Sequence, residues 1–503
     1  MFLHEGTSAE YFAILAHGHQ DVAAGIDNAP LGVVERLIIG RFRTEITGNP
    51  FVAYFVVKGP ESLLVRGFEV DNGNGGGHGW EWREECSENQ NAKFAHYRPY
   101  LCRPMLNPAT IVLKNGKDHS LRRRHPWVFS GAIARVKGEP LEGAPVRVEA
   151  IDGELLGVGH FSSGGSIAVR MLDFGENAIL PTSDYWEAKL GNAYALRQRL
   201  GLTGTADTNV FRLVHAEGDG LPGLIIDVYG DVAVVQAHSV GMYRARPEIA
   251  AALRVVFGDK LRAIYDKSAE TVPGNAVPEA KNGYLFGESN GNEHLVQENG
   301  HLFAVDWETG QKTGFFIDQR DNRALLARYS PGRRVLNTFC YTGGFSVYAL
   351  EAGAELVHSV DSSKKAIALT ERNAELSEHA DRHAAYPDDV LGFLKNHSAE
   401  YDLLVLDPPA FAKHMGARHA ALMGYKRLNA AGIAHLAPGG LLFTFSCSQV
   451  VSPELFEGAV LAAAIEAGRP ARILHRLTQP ADHPVSLFHP EGAYLKGLVL
   501  AVE

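Results

Sequence analysis

The sequence predicts a multidomain α/β protein ending in a doubly wound parallel sheet, on three observations. The chain has 503 residues, more than one hydrophobic core accommodates, and about 150 residues per domain suggests about three domains. Short alternating strands separated by glycine turns begin at Ala109. From residue 301 onward, apolar strands alternate with helical stretches, the pattern of a parallel sheet covered on both faces. The expected segments are an N-terminal extension (1–105), a small β-rich domain (106–184), a central α+β domain (185–300) and the doubly wound domain (301–503).

Composition narrows the function classes. Apolar residues make up 46% and charged residues 21%, which fits neither a largely disordered chain nor a membrane protein. No apolar run approaches the roughly 18 residues of a membrane span. Net charge is 48 − 58 = −10, so nucleic-acid binding requires a local basic patch rather than the whole surface. The four cysteines, Cys86, Cys102, Cys340 and Cys447, contain no CxxC pair, which argues against a disulfide framework and a four-cysteine zinc site. Met1 to His19 carries Glu5 and Glu10 and lacks the basic start of a signal peptide. These features point to a reducing cytoplasm.

Residues 1–105 hold two apolar stretches, Leu31 to Gly40 and Phe51 to Lys58, and a glycine run, Asp71 to Gly79, that reads as a linker or loop. The histidines at 4, 17, 19 and 78 show no ligand spacing, and no metal site is expected. In the β-rich segment, Ile111 to Leu113, Val146 to Glu149, Leu155 to Val158 and Ile167 to Leu172 are strand-like, with turns at Asp152-Gly153 and Gly164-Gly165. The densest basic cluster, Lys114, Lys117, Arg122, Arg123, Arg124 and His125, precedes Trp127. It reads either as cations and a stacking face for RNA or as a solvated turn with Trp127 in the core. The central segment runs helix (Tyr185 to Leu200), strands (Leu224 to Val228, Val232 to Ala237), helix (Arg246 to Val256) and strand (Ala263 to Tyr265). In the last segment, strands at Arg334 to Asn337, Leu356 to Val360, Leu403 to Leu406 and Leu441 to Phe445 interleave with helices at Gly344 to Ala352, Ser363 to Leu376, Val390 to Lys395 and Gly424 to Leu436.

Ligands bind such sheets beyond the carboxyl ends of the strands, so the residues there carry the chemistry. Asn337 to Ser346 includes Gly343 and Gly344, which permit close backbone approach, but GxGxxG is absent. A phosphate-free nucleoside fits better than a dinucleotide. Asp361 ends the next strand, where a carboxylate meets ribose hydroxyls. Asp389 suits either an adenine contact or a helix N-cap. Asp407 is fixed at a strand end by Pro408 and Pro409, placed to meet a planar base. Cys447 falls one strand along, a nucleophile's position, although a lone cysteine is usually structural.

With these residues in place, Met105 to Glu503 resembles the bacterial class I S-adenosyl-L-methionine-dependent methyltransferases that make 5-methylcytosine in large-subunit (23S) ribosomal RNA. The motifs include Leu121 to Gly131, Gly218 to Gly223, Lys312 to Arg323, Tyr341 to Phe345, Val360 to Ser362, Asp407 to Phe411, Phe445 to Ser448 and Pro490 to Gly497. The resemblance implies a PUA domain, a central α+β domain and a Rossmann-like methyltransferase domain in that order. It implies that Asn337, Phe339, Tyr341, Gly343 and Gly344 wrap the methionine part of the cofactor, that Asp361 holds ribose, that Asp389 contacts adenine and that Gln319 and Arg320 stand beside the cofactor or target nucleotide. Cys447 becomes the nucleophile, with Asp407 on the pyrimidine edge. The cluster Lys114, Arg122, Arg123, Arg124, His125 and Trp127 becomes the RNA contact. The partner implied is large-subunit ribosomal RNA, with no membrane and with a homodimer left open.

Where related enzymes carry a second cysteine, this chain has Pro408-Pro409-Ala410, so the base for the carbon-5 proton is unassigned; Cys340 is either a helper or a packed thiol. Relatives of this kind begin near the equivalent of Met105, so residues 1–105 are an extension, either an appendage or the product of a start upstream of Met105. Two rival functions follow from the same residues: an RNA N-methyltransferase acting on guanine or an exocyclic amine, which needs no thiol, and a non-catalytic ribosome-assembly protein.

Overall fold

The computed structural model describes residues 108–503 except 275, 292, 398 and 399, together with four strands nearer the N-terminus. The chain divides into two compact units, Met1–Asn107 and Pro108–Glu503. In the first, Arg36–Leu37, Val52–Lys58, Leu63–Glu69 and Glu81–Arg83 form an antiparallel sheet in that order. The Asp71 to Gly79 run lies outside the described residues.

The second unit opens with a six-stranded sheet ordered Trp127–Phe129, Ile167–Phe174, Leu155–Phe161, Pro145–Glu149, Thr110–Leu113, Ile133–Lys137. Alternation explains it: Val146 and Val148 are fully buried while Pro145 faces out. Two of its strands arise from the stretch around and beyond the basic cluster, where sequence reading marked none. Gly159 is obligatory, because a Cβ there would stand 2.3 Å from the Arg170 carbonyl on the neighbouring strand.

Next come the helix Ser183–Arg199 and a five-stranded sheet, Val210–His215, Leu224–Tyr229, Val232–Ala237, Ala263–Asp266, Gly283–Phe286. Its one parallel pair, Val232–Ala237 with Ala263–Asp266, is joined through the helix Arg246–Phe257. A hairpin, His294–Glu298 with His301–Val305, follows, and the boundary expected at residue 300 falls in its turn.

The last sheet has seven strands ordered His383–Pro387, Leu356–Asp361, Arg334–Thr338, Tyr401–Leu406, Leu436–Ser446, Lys496–Val502, Ala471–Thr478. The first five are parallel; four of them are the expected strands, and His383–Pro387 is one that the sequence reading did not mark. The last two are a correction: Lys496–Val502 runs antiparallel to both its neighbours. A loop rather than a crossover helix leads into it, so the strand enters reversed. The central strands read as unbroken apolar runs because both faces are covered, Leu404 and Leu406 on one and Leu403 and Val405 on the other. The helix expected from Gly424 begins at Arg418; Gly424 is a packing site rather than a helix start, since a Cβ there would meet the Phe411 ring at 3.0 Å. Chain order reverses between Arg334–Thr338 and Tyr401–Leu406, which opens a crevice at their carboxyl ends. Among the described residues, no helix is long and apolar enough to cross a membrane.

Candidate active site

The crevice begins at the loop after Arg334–Thr338. Phe339 (φ 53°), Tyr341 (φ 48°) and Gly343 (φ 74°) alternate in left-handed conformations. Such strain at non-glycine residues persists only where surroundings enforce it and concentrates at ligand sites. The Tyr341 hydroxyl accepts from the Gln311 amide (2.9 Å) and donates to the Gly314 carbonyl (3.2 Å). At Gly343 a Cβ would press to 2.8 Å from Thr370 Cγ2, and at Gly344 to 3.0 Å from Arg323 Cδ. Packing against the protein therefore already demands both glycines. Asn337 is buried and donates to Ser346 Oγ (2.9 Å), so its side chain shapes the loop from beneath.

Asp361 is half-buried. It accepts from the Tyr341 amide at 3.1 Å and the Ser363 amide at 2.9 Å, one on each carboxylate oxygen. Each oxygen keeps a further lone pair for a ribose hydroxyl. The strained loop and this fixed carboxylate fit a nucleoside ligand. Asp361→Ala should weaken S-adenosylmethionine binding by roughly 1.5–3 kcal/mol, the range for hydrogen bonds to a charged group; unchanged calorimetric affinity would remove Asp361 from the site. Asp389 caps the helix Val390–Asn396 by accepting from the Gly392 amide (2.8 Å), with its side chain exposed.

Two strands along, Leu406 pairs with Thr444 in register, so Asp407 leaves its strand level with Phe445 and Cys447 follows two residues further along the adjacent parallel strand. Asn322 Nδ2 donates to Gln319 Oε1 (2.6 Å), and Gln319 Nε2 donates to Asp407 Oδ2 (3.0 Å). Burial, then the nearby Asp318 carboxylate, pushes Asp407 up to about 7, against the opposing pull of Gln319. Burial, then Asp407, pushes the Cys447 thiol up to about 11, with Lys312 opposing. The turn carrying Cys447 is held by Lys496, whose Nζ donates to the Ser448 (2.6 Å) and Val451 (2.8 Å) carbonyls, and by Tyr425, whose hydroxyl lies 2.9 Å from Ser448 Oγ.

Sequence reading missed Asn322, Lys312, Asp318, Tyr494 and Lys496 as individual site residues, although their motifs were visible. Asp318, Tyr494, Lys312 and Phe316 line a cavity of about 300 Å³ together with Arg212 and His238 from the central domain.

Other expected residues lie elsewhere. Arg320 is buried, pairing with Asp482 (3.0 Å) and Glu298 (3.4 Å) and donating to the Val210 carbonyl (2.8 Å). Its guanidinium is engaged by partners from the central sheet, the hairpin and the loop after Ala471–Thr478. Cys340 is a packed thiol, 6% exposed and 3.4 Å from Thr370 Oγ1, and burial pushes it up to about 12. In the basic cluster, Arg122 is engaged by Asp118 (2.6 Å) and Glu154 (2.9 and 2.6 Å), and Lys114 donates to the Gly131 carbonyl (2.9 Å). Arg123 and Arg124 are exposed. Trp127 is half-buried, its Nε1 donating to Glu217 (2.8 Å) and its ring 4.4 Å from that of His489. His125, His489 and Glu491 bring ligand-type atoms within 4.8 Å of one another. However, His125 Nδ1 accepts the Trp127 amide (3.2 Å), which leaves the proton of a neutral ring on Nε2 and removes that nitrogen as a metal ligand.

Comparison with known proteins agrees with this geometry. Residues 111–174 match the family model of a PUA-like domain, and residues 272–499 match that of an S-adenosylmethionine-dependent methyltransferase. The chain is 41% identical over 401 residues to ribosomal RNA large subunit methyltransferase I of Shewanella amazonensis, covering 78% of this chain and 99% of that one. It is 41% identical over 397 residues, with the same coverage, to the protein of that name from Aeromonas hydrophila. Among solved structures, a candidate SAM-dependent methyltransferase from Streptococcus mutans superposes with TM-score 0.66 at 23% identity, covering 78% of this chain and 99% of that one. A candidate methyltransferase complexed with SAH gives TM-score 0.66 at 24% identity, with the same coverage. At these identities the structural matches speak to the fold.

Proposed function

The chain belongs to the ribosomal RNA large subunit methyltransferase I family, and from that premise we propose that it methylates carbon 5 of a cytosine in large-subunit ribosomal RNA through a covalent adduct with Cys447. One observation carries the reading: a partly buried thiol and a carboxyl pushed up to about 7 stand at neighbouring strand ends. S-adenosylmethionine, held by the 339–344 loop and Asp361, supplies a methyl group activated by its sulfonium.

Carbon 5 of cytosine is a poor nucleophile. Addition of the Cys447 sulfur to carbon 6 makes the ring enamine-like and places electron density on carbon 5. As the sulfur adds, negative charge develops toward ring nitrogen 3, and Asp407 in its protonated form donates there. Gln319 holds the other side of that carboxyl, fixing which oxygen faces the ring. After carbon 5 has taken the methyl group and passed its proton to water, the sulfur leaves carbon 6, and Asp407 recovers its proton from nitrogen 3. The packed thiol of Cys340 is poorly suited to the proton removal. A free Cys447 thiol suits a reducing cytoplasm.

Product analysis tests the reading. After incubation of unmodified large-subunit RNA with methyl-labelled S-adenosylmethionine and digestion to nucleosides, the label should migrate as 5-methylcytidine; label in a methylguanosine or an N-methylated cytidine would overturn it.

RNA engagement should depend on the exposed arginines of the β-rich domain. Replacing Arg123 and Arg124 with Ala should flatten the slope of log affinity against log salt by up to about one unit per lost phosphate contact. Arg122→Ala should change it less, because Asp118 and Glu154 already neutralise that guanidinium. An unchanged slope in the double variant would show that RNA is held elsewhere.

A further inference from the structure

Asp318 has an unusual setting for a carboxylate. It is 8% exposed and lies one residue before Gln319, the partner of Asp407. Its Oδ2 accepts the Tyr494 hydroxyl at 2.6 Å, while its Oδ1 is buried with no hydrogen-bond partner. Asp318 lines the cavity it shares with Lys312 and Tyr494, and its charge acts on both Asp407 and Cys447. A buried, unpartnered acceptor calls for an explanation, and a group that arrives with the substrate supplies one.

Two carboxyl groups of opposite protonation preference meet here. Burial opposes ionisation of Asp318, but Lys312, His483 and the Tyr494 hydroxyl outweigh it and hold the carboxyl below its usual range, whereas burial, then Asp318 itself, pushes Asp407 toward its protonated form. Carboxyls driven apart in this way take different roles, one as donor and one as acceptor. A cytosine edge asks for that combination: ring nitrogen 3 accepts, and the adjacent exocyclic amine donates. A uracil edge presents the reverse, an N–H at position 3 and a carbonyl at position 4.

The geometry points to Asp318 as the residue that selects cytosine over uracil, its buried Oδ1 accepting a hydrogen bond from the exocyclic amine while Asp407 serves ring nitrogen 3. This inference rests on the carbon-5 reading above. Tyr494 holds the second oxygen and so fixes the direction in which Oδ1 points. Uracil would set its carbonyl against a buried carboxylate, and a site built to hydrogen-bond one group rejects an analogue lacking it by roughly 10⁴-fold.

The test uses the full chain and RNA fragments carrying cytosine, uracil or pyrimidin-2-one at the methylated position. The wild type should methylate cytosine, lose roughly 100-fold or more in kcat/KM on pyrimidin-2-one, which lacks the amine, and reject uracil more strongly still. Asp318→Asn can offer a donor as well as an acceptor, so its cytosine-to-uracil ratio should fall by roughly 100-fold or more. Equal losses on all three bases would make Asp318 structural and overturn the inference. Should the variant fail to fold, wild-type rates equal on cytosine and pyrimidin-2-one would overturn it independently. Absence of 5-methylcytidine from wild-type reactions on cytosine would instead defeat the carbon-5 reading itself.

Discussion

Cys447→Ala should lower single-turnover methylation by roughly four orders of magnitude or more, the scale seen when a covalent nucleophile is removed, while S-adenosylmethionine affinity stays at the wild-type value. The reason for the loss is electronic: without sulfur at carbon 6, carbon 5 remains part of an aromatic ring and has no electron pair to offer. Cofactor affinity should survive because its proposed contacts, the 339–344 loop and Asp361, lie on other strands. The variant also loses no hydrogen bond that holds the turn, since Lys496 and Tyr425 act on Ser448 and Val451. Full turnover by Cys447→Ala would instead favour methylation of a nitrogen, which needs no adduct.

Asp407→Asn should reduce kcat/KM by about 10²–10⁴-fold, the usual contribution of a positioned acid, and should change the shape of its pH dependence. With Asp407 near 7 and Cys447 near 11, the dominant free enzyme between those values carries one proton on the thiol and none on the carboxyl. The reactive form, thiolate beside protonated Asp407, has the same total number of protons. Its fraction is therefore constant across that interval. Below about 7 the dominant form gains a second proton that must be lost before reaction, so the rate falls as pH falls. Wild-type kcat/KM should accordingly rise to about pH 7 and then level. An asparagine cannot titrate, so the variant should keep rising through pH 7 with its thiolate fraction. A plateau at the same pH in Asp407→Asn would assign that limb to another group.

Legibility in the sequence followed the physics of each element. Leu403 to Leu406 could be read as a buried parallel strand because covering both faces leaves no polar position. Ala471–Thr478, an exposed edge strand carrying Arg472 and Arg476, lacks that signal, and the antiparallel edge went unread. Cys447 and Asp407 could be singled out as candidates because ligands of such a sheet bind where its strands end. Arg320 shows the limit of residue type as a guide: an arginine beside a site residue can equally neutralise buried acids, and the Asp482 partner lies 162 residues away in sequence. Trp127 was ambiguous for the same reason, because Glu217, 90 residues on, decides whether its indole is free. Asp318 belonged to a motif that was read, but its unpartnered oxygen is a property of packing alone.

The most direct test of the central claim is to trap the adduct. A substrate RNA with 5-fluorocytosine at the methylated position has no carbon-5 proton to lose, so the sulfur cannot leave after methyl transfer. Wild-type protein incubated with this RNA and S-adenosylmethionine should give a denaturation-resistant RNA conjugate, and mass spectrometry of its peptides should place the nucleotide on Cys447. A conjugate mapped to Cys340, or none under conditions in which unmodified RNA is methylated normally, would contradict the account.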